Sequence, residues 1–283
     1  MTITLDGVEK PVGQPAVYSS VSPSPDGTLI LTRTAHKPYS YLVPVNLFPQ
    51  LVQVSDLNGT PIKQLADIPL GENIPVGFNA VITGPRSHGW RADQPATVYW
   101  TEAQDNGDPK VKADIRDKVM MWAAPFTSTP TVLISLPLRY SGIAWGNDKS
   151  AWVYEFWWND RKTRTYQVDP SNPAKKKTVF DRSSEDAYGD PGDPIFTTSV
   201  YGTQVMQINS DNTIFLRGDG ASPEGDRPFI LQKAGGLQGT FSYIAFAPTR
   251  GVAVFIAINQ FNFAASMAMA KVANELIATL APR

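Results

Sequence analysis

Residues 17–33, Val17-Tyr-Ser-Ser-Val-Ser-Pro-Ser-Pro-Asp-Gly-Thr-Leu-Ile-Leu-Thr-Arg33, decide how the rest of the chain is read. Two strand-forming runs flank Pro25-Asp26-Gly27. Asp caps its own backbone and Gly accepts left-handed φ, so the segment predicts strand, tight turn, strand. The same plan recurs at Gly89–Ala103 around Arg91-Ala92-Asp93, at Ile143–Trp157 around Gly146-Asn147-Asp148, and at Val205–Leu216 around Asp211-Asn212. The turn residues Asp26, Asp93, Asp148 and Asp211 lie 67, 55 and 63 residues apart. Repeats of roughly 40 to 50 residues with four strands each mark β-propeller blades. These units are longer, which implies extended loops such as the Pro-containing stretch 105–112. The predicted fold is mainly β, a partial β-propeller of about three to four blades.

Strand chemistry agrees. Leu29-Ile30-Leu31, Thr97-Val98-Tyr99-Trp100 and Trp152-Val153-Tyr154 are β-branched or aromatic runs bounded by turn residues. All seven Trp fall between Trp90 and Trp158. Aromatics at matching places in successive repeats fill the space between blades, which favours core packing over a carbohydrate platform. The chain has 283 residues, 42% hydrophobic and 18% charged, which suits a globular protein with a sizeable core. A formal net charge of −1 leaves no basic field for nucleic acid or anionic lipid. With no Cys, disulfides, thiolate nucleophiles and Cys-based zinc sites are excluded. Residues 1–6 lack a basic and an apolar segment, so no secretory signal is read. The longest apolar stretch, Val252–Ile258, is far short of a membrane span. A soluble chain is expected, cytoplasmic, or periplasmic if an upstream signal has been lost.

Several strings carry a family resemblance. Pro15-Ala-Val-Tyr-Ser-Ser, His36-Lys-Pro-Tyr-Ser-Tyr-Leu-Val-Pro, Trp90-Arg-Ala-Asp-Gln-Pro-Ala-Thr, Asp181-Arg-Ser-Ser-Glu-Asp and Gly218-Asp-Gly-Ala-Ser-Pro-Glu-Gly-Asp-Arg-Pro-Phe occur in order. Together they resemble the β-propeller of glutamyl endopeptidase-like serine peptidases, in the prolyl oligopeptidase clan, over about residues 9–231. The resemblance implies a propeller that precedes an α/β-hydrolase domain and restricts which peptides reach a Ser-Asp-His triad. Some propeller strands of that family have no counterpart here. The texture changes near Gln232. Residues 233–283 read as a glycine-rich loop, two apolar strands and a helix from about Ala264 to Leu280. Ala265, Met269, Val272, Leu276 and Leu280 recur at helical spacing, giving one apolar face. This tail resembles the C-terminal end of class C β-lactamases and penicillin-binding-type esterases. Two domains are therefore expected, a propeller-like 1–231 and a small α/β segment at 232–283, as in a truncated or fused reading frame.

Neither resemblance brings its nucleophile. No Gly-x-Ser-x-Gly and no Ser-x-x-Lys occurs in the chain. His36 and His88 are the two histidines, and His88 beside Ser87 puts the pair on opposite sides of a strand. No catalytic residue, cofactor or metal is expected, since the carboxylates Asp186, Asp190 and Asp193 fit no compact calcium loop. The ligand-binding candidates are Arg161 and Arg164, cations on a strand or its turn suited to an acidic peptide side chain, and Lys233. Lys233-Ala234-Gly235 stands where the esterase resemblance implies Lys-Thr-Gly, with Ala in place of the hydroxyl. The expected role is a non-catalytic propeller portion that contacts a peptide or a protein, with self-association through open strand edges. Two other classes stand beside it, a serine hydrolase using unrecognised residues and a rearranged frame with no evolved activity.

Overall fold

The computed structural model describes residues 2–234, 241–247 and 252–258, together with 271, 272, 275, 276 and 279. Two minimal strands, β1 (Thr2–Ile3) and β2 (Glu9–Lys10), form a ribbon ahead of the main sheets. Four antiparallel sheets then follow in sequence order. The first holds β3 (Val17–Pro23), β4 (Leu29–Ala35), β5 (Gln50–Asp56) and β6 (Pro61–Ile68). The second holds β7 (Pro85–Trp90), β8 (Thr97–Ala103), β9 (Asp117–Ala123) and β10 (Thr131–Leu136). The third holds β11 (Arg139–Asn147), β12 (Ser150–Trp157), β13 (Lys162–Val168) and β14 (Lys176–Ser183). Strand order within each of these sheets is sequential, the up-and-down plan of a propeller blade. The fold is mainly β, a partial β-propeller.

The fourth sheet is built differently. It uses β15 (Asp193–Pro194), with β16 (Phe196–Thr198) and β17 (Gln204–Met206) pairing off as a separate ribbon. Its body is β18 (Thr213–Gly218), β19 (Phe229–Ala234), β20 (Phe241–Ala247) and β21 (Val252–Ile258), in the order β15-β18-β19-β20-β21. β19 runs straight through the residue 231/232 seam, and β20 pairs with it at Lys233 and Phe241. The two apolar tail strands thus extend the last sheet rather than standing apart from it. Residues 271, 272, 275, 276 and 279 are helical, with Lys271 and Glu275 one turn apart at 4.0 Å. Val272 and Leu276 of the anticipated apolar stripe are exposed. The remainder of the helix expected over Ala264–Leu280 lies outside the described residues, as do residues 235–240 that follow Lys233-Ala234.

The turns follow the repeat. Asp26 accepts the Thr28 N–H at 3.1 Å and its hydroxyl at 2.9 Å, with Gly27 at φ 71°. Asp211 does the same for Thr213, at 3.0 and 2.6 Å, with Asn212 at φ 60°. Asn147 caps Lys149 in the third unit, and Asp93 clamps Arg91 in the second. Gly and Asn occupy the left-handed position because a β-carbon is tolerated poorly there.

The chain divides into two compact units. The first is 1–141 with 155–159 and 199–203, and its core joins Leu31, Val52, Val54 and Ile68 to Val98, Trp100 and Phe126. The second is 142–154, 160–198 and 204–283, with a core of Trp152, Val179, Met206, Ile214, Leu216 and Leu231. Trp145 and Trp152 are buried and Trp152 meets the Phe180 ring edge-on, so these indoles pack the interior. Among the described residues no helix is long and apolar enough to cross a membrane.

Candidate functional site

The cations singled out by sequence are already held. Arg164 sits directly opposite Asp181 across the β13–β14 ladder and donates to it at 2.9 Å. Lys162 reaches the other oxygen of the same carboxylate at 2.7 Å, and Arg161 pairs with Glu185 at 2.9 Å. Asp181 is held below the usual carboxylate range by these two cations, against the opposing effect of its partial burial. Lys233 lies elsewhere in the second unit, buried with its ammonium 4.2 Å from the Phe180 ring centroid. Burial, with the Lys177 charge nearby, lowers its pKa to about 7. Arg164 lies on β13 and Arg161 in the turn just before it, whereas Lys233 belongs to a different, interior environment. Asp190 pairs with Arg182 and Asp186 caps Gly189, so these two acidic residues serve their own loop.

The first unit contains a buried ionic network. Asp105 and Asp117 are both fully buried. Asp105 receives Arg116 at 2.7 Å and Arg139 at 2.8 Å. Asp117 receives Arg86 and Arg139, and also the Tyr140 N–H at 2.7 Å. Arg139 additionally donates to the carbonyls of Asn79 and Arg116. Such saturation fixes loop ends in place, and it is the structural use of buried charge.

Arg33 is the contrasting case. Residues 29, 31, 33 and 35 of β4 share one face, and the others are Leu, Leu and Ala. Arg33 stands opposite the fully buried Val52. Its guanidinium donates to Nδ1 of His88 at 3.2 Å, and among the described residues it has no carboxylate partner. Every other buried or half-buried arginine of the described residues has one, namely Arg86, Arg91, Arg116, Arg139, Arg161, Arg164 and Arg182. Burial alone pulls the Arg33 pKa down. His88 stacks near Trp100, centroids 6.3 Å apart, with its Nε2 buried and unpartnered. Burial and then the Arg33 charge lower its pKa to about 3, so the imidazole stays neutral and accepts. Ser87 sits at a β-bulge with φ 54° and is exposed, pointing away from this contact.

Arg33 lines a cavity of about 30 Å³ with Asn46, Gln50, Leu47, Phe48 and Ile68 among its walls. The loop 36–49 supplies one side and the start of loop 69–84 the other. The loops are tied by the Ser40 hydroxyl on Glu72 and by Leu47 against Gly71, where any β-carbon would lie 3.2 Å from that of Leu47. They expose Tyr41, Leu42, Val45, Val76 and Phe78, an apolar set on these two tied loops. Sequence reading passed over Arg33 because one arginine in a strand looks like a solvated residue. The available signal was its parity, a charge placed on the apolar side of β4.

A mainly β chain of sequential antiparallel sheets, a partial propeller, is the class of protein these observations define. No protein-family model matches the chain. It is 44% identical over 234 residues to the probable chloroplastic glutamyl endopeptidase of Oryza sativa subsp. japonica, covering 80% of this chain and 25% of that protein. It is 45% identical over 235 residues to the protein of the same name from Arabidopsis thaliana, covering 80% of this chain and 24% of that one. The chain therefore spans about a quarter of the length of the curated relatives it matches. Among solved structures, the β-propeller domain of the Trilobed protease from Pyrococcus furiosus is similar at a TM-score of 0.41 and 8% identity, covering 88% of this chain and 70% of that one. The resemblance read from the landmark strings is thus to glutamyl endopeptidase-like proteins by direct comparison as well.

Proposed function

We propose that this chain is a non-catalytic propeller module that contacts peptides or a protein, related to the propeller portion of serine endopeptidases. The observation that carries the proposal is the 44–45% identity over four fifths of the chain to proteins named as glutamyl endopeptidases. Supporting it, both histidines have structural partners. His36 bonds Asp67 at 2.9 Å and the Lys37 carbonyl at 2.7 Å, and His88 serves Arg33. No Gly-x-Ser-x-Gly nucleophile turn occurs in the sequence. The 36–49 and 69–84 loops, tied at Ser40 and Glu72, each expose apolar residues that an extended peptide could contact.

Two measurements on the purified full chain test this. A fluorophosphonate probe should leave every serine unlabelled, and covalent labelling of a serine would replace the proposal with a serine-hydrolase reading. Fluorescence anisotropy with capped, unstructured peptides should show saturable binding that weakens when Tyr41 and Leu42 are changed to Ser. Absence of binding to any peptide of a mixed-composition set would overturn the peptide-contacting role.

A further inference from the structure

We propose that Arg86 and Thr101 hold a chloride ion inside the first unit. The inference is independent of the peptide-contacting role. Its first ground is charge. The buried network joins three guanidiniums, those of Arg86, Arg116 and Arg139, to the two carboxylates of Asp105 and Asp117, and no further acid of the described residues enters it. None of these five side chains is more than 14% exposed, so the excess positive charge is unfavourable without a counter-ion. The excess falls on Arg86. Arg139 directs its donors to both carboxylates and two carbonyls. Arg116 donates to Asp105 and to the Val111 carbonyl at 3.1 Å, and its guanidinium lies 4.1 Å from the Trp157 ring centroid. Arg86 donates from Nη2 to Asp117, but its Nη1 is buried with no partner among the described residues.

The second ground is the residue across the ladder. Arg86 on β7 stands directly opposite Thr101 on β8, so the two share one face of the sheet with β-carbons about 4.5–5.5 Å apart. The Thr101 hydroxyl is fully buried, and it too has no partner among the described residues. Two unanswered donors side by side are completed by one acceptor between them. A β-bulge between Arg86 and Gly89 brings both residues onto this face, where the Tyr99 ring lies over Gly89. The Tyr99 hydroxyl bonds that of Tyr140, and the Arg86 charge acts on this buried pair. Size and charge then select the occupant. Val119, opposite Thr101 on its other side, is also fully buried, so the surroundings are closely packed. A monatomic ion suits the gap between two neighbouring side chains better than a carboxylate or phosphate does. A water molecule would answer the donors but leave the excess charge, whereas chloride answers both. The Arg86 side chain is 11% exposed against 4% for Arg139, which gives the ion a way in.

The test uses the full chain at constant ionic strength, with sodium chloride exchanged stepwise for sodium gluconate, whose anion is too large for the site. Urea unfolding reads the ratio of folded to unfolded chain. That ratio should rise about 10-fold once chloride reaches about ten times its dissociation constant. A ratio unchanged by the exchange overturns the proposal. Thr101→Val removes the hydroxyl and keeps the shape of the side chain. It should lose most of the chloride response while staying folded. If the hydroxyl is only an orphan, Thr101→Val gains the same stability in both salts and the chloride response persists, which also overturns the proposal. Arg227→Gln breaks an exposed pair and should keep the full response. Crystals of the full chain grown in sodium bromide locate the ion, with an anomalous peak expected between Arg86 and Thr101. Ordinary water density at that place, or bromide only at the surface, overturns the inference. The map decides whether or not the Thr101 variant folds.

Discussion

Arg139 and Arg33 lie within one compact unit and are treated in opposite ways. Arg139 has two carboxylates and two carbonyls around its guanidinium. Arg33 has one neutral imidazole beside a cavity. The first arrangement is complete and serves the fold. The second leaves a half-buried charge with no carboxylate partner among the described residues. The difference teaches that a half-buried cation in this chain can be met by an imidazole as well as by carboxylates.

The largest effect should come from breaking the complete arrangement. Asp117→Asn leaves Arg86 and Arg139 facing an amide in a site with no solvent access. Removing one partner of a buried ion network costs about 3–5 kcal/mol. Urea unfolding should show the midpoint fall with an unchanged slope, and a loss under about 1 kcal/mol would show the network to be dispensable.

Lys233 gives a second buried cation, of a different kind. Its pKa is lowered from the usual 10.5 to about 7. The unfolded chain therefore binds more protons between pH 7 and 10.5, and stability should rise as pH increases through that window. Lys233→Met should flatten the rise and raise stability at pH 7 by on the order of 2 kcal/mol. A flat profile in the unaltered chain would mean the ammonium is better solvated than its burial implies.

His88 tests the incomplete arrangement directly. Its pKa is lowered from 6.5 to about 3, so acid favours the unfolded chain, where the imidazole protonates freely. Stability should fall as pH drops from about 6.5 toward 3. Its upper part, above about pH 5, precedes most carboxylate titration. His88→Asn should remove about 1–2 kcal/mol of that loss over the upper part of the window. The same slope in both chains would sever His88 from the Arg33 charge.

Much of the fold was legible because its signals are local. Asp26-Gly27-Thr28 and Asp211-Asn212-Thr213 state their turn chemistry in three residues, and the structure folds both the same way. The strands at Leu29, Thr97 and Trp152 are equally direct. The placement of the tail was not local. Its two apolar strands are set off by composition at residue 232, and β20 pairs with β19 at a strand edge distant from any local signal. The candidate site was less legible still. Arg161-Lys162-x-Arg164 is visible as adjacent charges, but its partners are not, since Asp181 lies across the β13–β14 ladder and Glu185 just beyond its end. Arg33 looks ordinary because what distinguishes it is the lack of a carboxylate partner among the described residues. No window of sequence displays that.

The smallest effects should discriminate most sharply between those two arginine settings. Arg164→Gln breaks a partly exposed cross-strand pair and should cost no more than about 1 kcal/mol. Arg33→Gln removes a half-buried charge that no acid among the described residues offsets, so stability should hold or rise by a few tenths of a kcal/mol. If Arg33→Gln instead destabilises as Asp117→Asn does, Arg33 belongs with Arg139, and the distinction between a carboxylate-paired and an imidazole-paired arginine collapses.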